Sequence, residues 1–246
     1  MAKLLSLLRR LPTLSQREFQ DHWLDYHARF ARENPHVVRC VQCHAIADDP
    51  TRAALAQAGA SEVDEGYDGC EILWFHDLAG LRAALAHQAF AAAAADMERF
   101  VDLDRSAVVV ATEHVHIEPE PPSPIVFVEC LARTAAIDRQ TFSERWLHHA
   151  GIAHKANAAG YLSGYIQNHA LVEGPGDLAG AHGLGRSTED WDGVMTGFFQ
   201  SVAVAKALFT SPLASEEAFE DERSFIDHSK AVLLLTRRHV IKEALR

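Results

Sequence analysis

Two stretches of the chain each set a histidine just after a tryptophan: Trp23 precedes His27, and Trp146 precedes His149. An imidazole partly shielded from water between a helix and a sheet can take or give a proton near neutral pH. Beside an aromatic-walled cleft, that is what enolisation, dehydration or isomerisation requires. His27 and His149 are therefore the candidate catalytic residues. The plainer reading is that each bonds a carbonyl and fills space. His44 and His169 each close a Gln-x-His triplet at the end of a strand-like run, which suits ligand contact or a loop cap. Tyr67 and Trp191 precede Asp-Gly turns, where their rings either cover a pocket mouth or pack in the core.

A helical wheel at about 100° per residue sorts the first of these helices. With Phe19 at zero, Trp23 falls at about 40°, Phe30 at about 20°, Tyr26 at about −20° and His27 at about 80°. Trp23 and Tyr26 thus face the sheet as ligand-contact candidates, with His27 at the edge of that face. In the second helix Phe142 and Trp146 take the same places, while His149 falls where Tyr26 stood. Shifted by one residue, His149 matches His27 instead. Both alignments are open.

Other groupings suit chemistry less well. His114 and His116 are two apart in a strand, hence on one face, and could share a metal with a carboxylate such as Glu129. The second half shows Arg238 and Val240 at those places, so a solvated or salt-bridged pair is the better reading, and no metal is expected. Cys40 and Cys43 lie three apart in an apparent strand and point to opposite faces, a poor geometry for redox or metal work. Gly180, Gly183 and Gly185 lack the strand-to-helix setting of a dinucleotide loop and read as flexible loop.

The composition narrows the partners. A formal charge of −11 over 246 residues opposes binding to nucleic acid or to an anionic membrane surface. No run reaches the ~20 apolar residues of a membrane span. The apolar start is too short for a signal peptide and is broken by Arg9-Arg10. Four cysteines suggest no disulfide framework, so a reducing cytoplasm is the expected compartment.

The elements that must position these residues occur twice, at an offset that stays between 123 and 125 residues. Phe19, Trp23 and Leu24 answer Phe142, Trp146 and Leu147. Tyr67-Asp68-Gly69 answers Trp191-Asp192-Gly193, and the run from Asp96 to Asp102 answers that from Asp221 to Asp227. A period this long is a whole domain. We therefore expect a repeat over 1–118, a proline-rich spacer over 119–124 and a second repeat over 125–246. Each reads strand-helix-strand-strand-helix-strand, with Ser15 and Asp138 as helix caps and a further short helix over 53–58. That order is the ferredoxin-like βαββαβ unit, an α+β fold with both helices on one sheet face. Strands such as Leu4–Leu8 and Leu233–Leu235 are apolar on both faces and need cover on both. The other half's sheet supplies it, so the halves are expected to pack sheet to sheet as a barrel with helices outside.

A helix carrying Phe-x3-Trp-x3-His, a strand ending near Gln-x-His, then Tyr-Asp-Gly and an aromatic pair resembles the EthD family of the dimeric α/β-barrel superfamily. The resemblance spans nearly the whole chain, in tandem. It implies an intramolecular version of that barrel and a hydrophobic small-molecule ligand, in a monomer or homodimer. It further implies proton-transfer chemistry on an aromatic or polyketide-like carbonyl compound: a lyase, cyclase or isomerase of a catabolic route, with no organic cofactor. The alternative is a non-catalytic binding or auxiliary protein. A third reading is haem binding, as in some relatives of this fold.

Overall fold

The computed structural model describes residues 1–47, 49, 66–171, 184–185 and 191–243. The short helix expected over 53–58, and Gly180 and Gly183 of the glycine loop, lie outside the described residues. The first half runs β1 (Ala2–Leu8), a long helix α1, β2 (Arg39–Ala45), β3 (Gly69–Phe75), α2 (Leu78–Ala86), α3 (Gln88–Met97) and β4 (Ala107–Ile117). Helix α1 has three successive segments, Gln16–Asp21, His22–His27 and Ala28–Glu33. The second half runs β5 (Ile125–Leu131), α4 (Arg139–Ala158), β6 (Gly164–Ala170), β7 (Gly193–Phe199), α5 (Val202–Phe209), α6 (Leu213–Ala218 with Phe219–Glu222) and β8 (Val232–Lys242). The helices start where short polar side chains can cap them. Ser15 accepts from the Glu18 amide while the Glu18 carboxylate reaches back, and Asp138 accepts from the Thr141 amide at 2.7 Å.

Within each half the strands order as β4-β1-β3-β2 and β8-β5-β7-β6, and two antiparallel seams, β2 with β8 and β4 with β6, close one eight-stranded barrel. Alternate residues divide its two faces. Leu5, Leu7, Val126, Val128 and Leu234 fill an interior shared by both halves. Leu4, Leu8, Phe127 and Leu131 face outward beneath the helices. Cys40 and Cys43 do point to opposite sides, one under the helices and one inside.

What seats each helix is a contact between an indole and a glycine. A Cβ on Gly69 would lie 2.5 Å from the Trp23 ring and 2.6 Å from the Cys43 carbonyl oxygen. A Cβ on Gly193 would lie 2.7 Å from Trp146 Cη2 and closer still to Cζ3. Only the absence of a side chain at the start of β3 and β7 lets the tryptophan lie on the barrel. The preceding aspartates tie the same corner. Asp68 accepts from the Arg10 amide at 2.8 Å, and Asp192 from the Arg133 amide at 2.7 Å, each with an arginine guanidinium paired to it.

Substituting Gly193 by alanine forces the indole off its seat, and we expect a loss of about 1–3 kcal/mol in unfolding free energy, as overpacking typically costs. Gly151, on the open face of α4 with nothing within 4 Å, is the control. Its replacement by alanine should gain roughly 1 kcal/mol from helix propensity. Urea unfolding of both variants checks this, and a Gly193→Ala protein as stable as wild type would refute the seating contact.

Candidate functional site

Between tryptophan and histidine, the helix carrying His27 holds one residue more than the helix carrying His149. Trp23 and His27 are four apart, Trp146 and His149 three apart. The segment His22–His27 is a π-helical turn, which absorbs the extra residue. The regular wheel therefore fails over this turn. Tyr26 does not face the sheet: it is 38% exposed, with the Arg29 guanidinium 3.9 Å from its ring centre. His27 goes inward in its place and is buried. Of the two alignments, His149 with His27 is the one the structure adopts.

Each imidazole bonds through Nδ1 to the aspartate at the matching place in the other helical region. His27 meets Asp96 at 2.9 Å, and His149 meets Asp221 at 2.7 Å. The surroundings then diverge. Beside His27 the space is only about 30 Å³, lined among others by Phe30, Leu73, Met97 and Leu184. Asp96 also accepts from His22 Nε2 at 3.1 Å. Burial alone would raise the Asp96 pKa, but its hydrogen bonds from His27 and His22 prevail and lower it.

Beside His149 lies a cavity of about 130 Å³, between α4, α5, α6 and the outer face of β5, β6 and β7. A dry cavity of roughly that size admits a benzene-sized ring. Phe127, Phe199, Phe209, Phe219, Ile152, Leu233 and Trp146 form most of its wall. Glu129, His149, Tyr165, Glu222 and His228 supply its ionisable groups. Leu73 of the first half corresponds to Gly197 here, since Leu4 pairs Leu73 and Phe127 pairs Gly197. The missing side chain opens the space. Likewise Ser6 corresponds to Glu129, and Met97 to Glu222.

His149 Nε2 lies 3.2 Å from Glu222 Oε1, so both ring nitrogens are engaged by carboxylates. Burial would lower its pKa, but the hydrogen bonds and charges of Glu222 and Asp221 outweigh that and raise it to about 9. Burial, then the charge of Glu222, pushes the Glu129 carboxyl well above the usual carboxylate range. His228 Nε2 sits 3.5 Å from Glu222 Oε2, too poorly aligned for a hydrogen bond, and has no other partner among the described residues.

The other sequence candidates are gathered into two matching stacks. Trp23 stacks on His44 at 4.5 Å, and His44 on His239 at 4.4 Å. Trp146 stacks on His169 at 4.4 Å, and His169 meets His114 at 4.6 Å. His239 thus answers His114, correcting the expected counterpart Arg238. The strand register requires it, because Ala2 pairs Thr112 while its equivalent Ile125 pairs Arg237. His44 and His169 each bond a glutamine oxygen through Nε2, Gln42 and Gln167, at 3.1 Å. Burial chiefly, then a neighbouring histidine, lowers both pKa values to about 3, so these rings are neutral. Tyr67 and Trp191 lie in the barrel's interior cluster. Glu129 stands on β5, which does not adjoin the strand of His114 and His116. Among the described residues no three His, Cys, Asp or Glu side chains gather as a metal site. Haem fits poorly as well, since both His149 nitrogens are taken and the cavity holds a small ring rather than a porphyrin.

A closed eight-stranded α/β barrel with a ligand-sized cavity under its helices is the architecture of a small-molecule enzyme fold. Residues 11–104 and 135–229 each match the EthD domain, and the chain belongs to that family. No curated protein matches it. A provisionally named monooxygenase of Lactobacillus acidophilus NCFM shares the fold with TM-score 0.54 and 11% identity, over 99% of this chain and 97% of that one. One of Fusobacterium nucleatum subsp. nucleatum superposes at 0.59 with 6% identity, covering 98% and 92%. A provisionally named chlorite dismutase superposes at 0.53 with 12% identity, covering 98% and 95%.

Asp221, Glu222, His228 and Gly197 escaped the sequence reading. The repeat placing Asp221 opposite Asp96 was visible; its meaning as a histidine partner was not. His149 binds its proton more tightly folded than unfolded. Its stabilising contribution is therefore complete below about pH 6.5 and is lost as pH rises through about 9. In an NMR titration we expect the His149 ring to change near pH 9, His169 to stay neutral down to pH ~4, and Glu222→Gln to move the His149 midpoint downward. A wild-type midpoint at or below 6.5 would contradict the assignment.

Proposed function

We propose that the second-half cavity is the active site of a small-molecule enzyme, acting by proton transfer on a hydrophobic, aromatic or polyketide-like carbonyl compound without an organic cofactor. A lyase, cyclase or isomerase step is the class of reaction. One observation carries this reading: a mostly apolar cavity lined by an imidazole and two carboxyls, open beside His149 and filled in beside His27. A pocket of that kind binds by its apolar wall and reacts through its polar groups. His149 belongs to the reacting centre and Trp146 to the ligand wall. His27 keeps its aspartate in the closed half, and Trp23, Tyr26, His44, His169, Tyr67 and Trp191 serve the frame that holds the site.

A second reading is a non-catalytic binder of the same ligand. The engagement of both His149 nitrogens favours it, because no free ring nitrogen meets the ligand. We infer further that the chain is two ferredoxin-like repeats, 1–118 and 125–246 with a 119–124 spacer, equivalent to a dimeric α/β barrel in one polypeptide. Four free, buried cysteines support a cytoplasmic setting. The formal charge of −11 supports a small molecule rather than nucleic acid as ligand.

Gly197→Leu tests the site without touching an ionisable group. A Cβ there meets Leu162, Met195 and Phe199 at an ordinary 3.5 Å, and the rest of the leucine fills the cavity as Leu73 does in the first half. Native mass spectrometry should find a co-purifying small molecule on wild type and little on the variant. Equal occupancy would remove the cavity from consideration. In a protein of demonstrated turnover, an unchanged rate in folded His149→Ala would end the catalytic reading.

A further inference from the structure

We propose that Glu222 and Glu129 are the proton-exchanging pair of this cavity, Glu222 as base and Glu129 as acid, acting on an uncharged apolar ketone or its enol. The proposal rests on the reading of the cavity as an active site and names the groups that work in it. Both ring nitrogens of His149 face carboxylates, so although the ring lines the cavity, neither nitrogen meets the ligand directly. The carboxyls do, since Glu129 from β5 and Glu222 from α6 both line the space. Buried carboxyls are costly to keep, and the closed first half carries Ser6 and Met97 at these two places. At these two places carboxyls stand only in the half whose cavity is open, while the closed half's one lining carboxyl, Glu71, stands on β3. His228 Nε2 adds a buried ring nitrogen with no hydrogen-bond partner among the described residues, which a ligand oxygen would satisfy.

The environment splits the pair. Glu129 keeps its proton because burial and the Glu222 charge oppose ionisation. Glu222 Oε1 faces the His149 ring, 3.2 Å from Nε2. A carboxyl kept protonated beside a second one that faces an imidazole can take the role of acid, and the second that of base. Asp221 and Glu222 set against one imidazolium leave the cluster with a net negative charge, which repels a carboxylate ligand and favours an uncharged oxygen. Tyr165, the remaining ionisable group in the cavity wall, stays neutral, its pKa raised mainly by burial.

The step balances without a co-reactant. Glu222 takes the proton from the carbon next to the carbonyl. The C–H electron pair becomes the enol C=C, and the carbonyl oxygen receives the proton of Glu129. Glu222 ends protonated and Glu129 ionised. Reversal at the same carbon exchanges hydrogen with solvent, while return to a carbon further along a conjugated chain moves a double bond. His149 is the positioning residue that holds the Glu222 charge.

The probes are 1-indanone in D2O, followed by NMR at C2, and 2-naphthol, followed by fluorescence as an enol-like ligand. Wild type should bind 2-naphthol and exchange the C2 hydrogens faster than buffer. E222Q should slow that exchange on the order of 100-fold or more, the usual worth of a positioned base, and E129Q should slow it too. Circular dichroism confirms that each variant is folded. Exchange that persists in E222Q but stops in Gly197→Leu would overturn the pair and leave the cavity as the active site. Binding of 2-naphthol without exchange in wild type would overturn the pair and leave a binding cavity. Neither binding nor exchange in wild type would overturn both readings.

Discussion

Everything functional in this chain is hung from an indole lying on a glycine. Trp23 on Gly69 and Trp146 on Gly193 set how close the long helix of each half comes to the barrel. That distance brings the tryptophan over a histidine of the second strand, His44 or His169, whose ring stacks against it. The glutamine two residues earlier holds the histidine and also donates to the tryptophan carbonyl, at 3.1 Å from Gln42 and 2.6 Å from Gln167. Helix, strand and seam are thereby clamped by one network. A turn beyond the tryptophan, His27 or His149 has one place to go: inward, to the aspartate of the second helical region.

The same frame built twice then carries different contents. In the first half Leu73, Met97 and Leu184 occupy the ground under the helix, leaving a space about the size of two or three waters. In the second, Gly197 withdraws a side chain while Glu129 and Glu222 bring in carboxyls. Buried carboxyls destabilise a domain that holds them alone. Here the other half contributes a filled hydrophobic core and two of the four seam strands, so it offsets what the cavity loses. The two copies divide their packing: one is filled, and the other holds open a cavity.

How much of this was legible follows from which signals are local. Repeat, strand order, caps and alternation between faces are carried by neighbouring residues, and they appear in the barrel nearly as read. Helix-capping partners such as Ser15 with Glu18 are three residues apart and equally plain. The wheel failed at Tyr26 because it assumes a regular turn, and the π-helical segment His22–His27 is detectable only by comparing Trp23–His27 with Trp146–His149. The counterpart of His114 slipped by one residue because both strands are apolar on both faces, so no hydrophobic pattern pinned the register until pairing did. Glu129 was weighed only as a metal partner; its real neighbours arrive from β7, α4 and α6, far along the chain. The site is long-range in origin, and composition and spacing do not reach that far.

Closure of the barrel also bears on association. Two such chains have no sheet edge among the described residues through which to join, because both seams that a separate half would leave open are already paired inside the chain. With β2 against β8 and β4 against β6, the barrel presents no unpaired edge strand among the described residues. A homodimer would have to form through helices or strand ends instead. Among the described residues the exposed large apolar side chains are few: Met1 before β1, Tyr26 on α1, Val115 near the end of β4, and Val240 at the matching place on β8. Scattered single residues of this kind are normal on a monomer. The constraint that shapes the cavity, two halves closing on each other, is therefore also the one that removes the chain's most direct route to a partner copy.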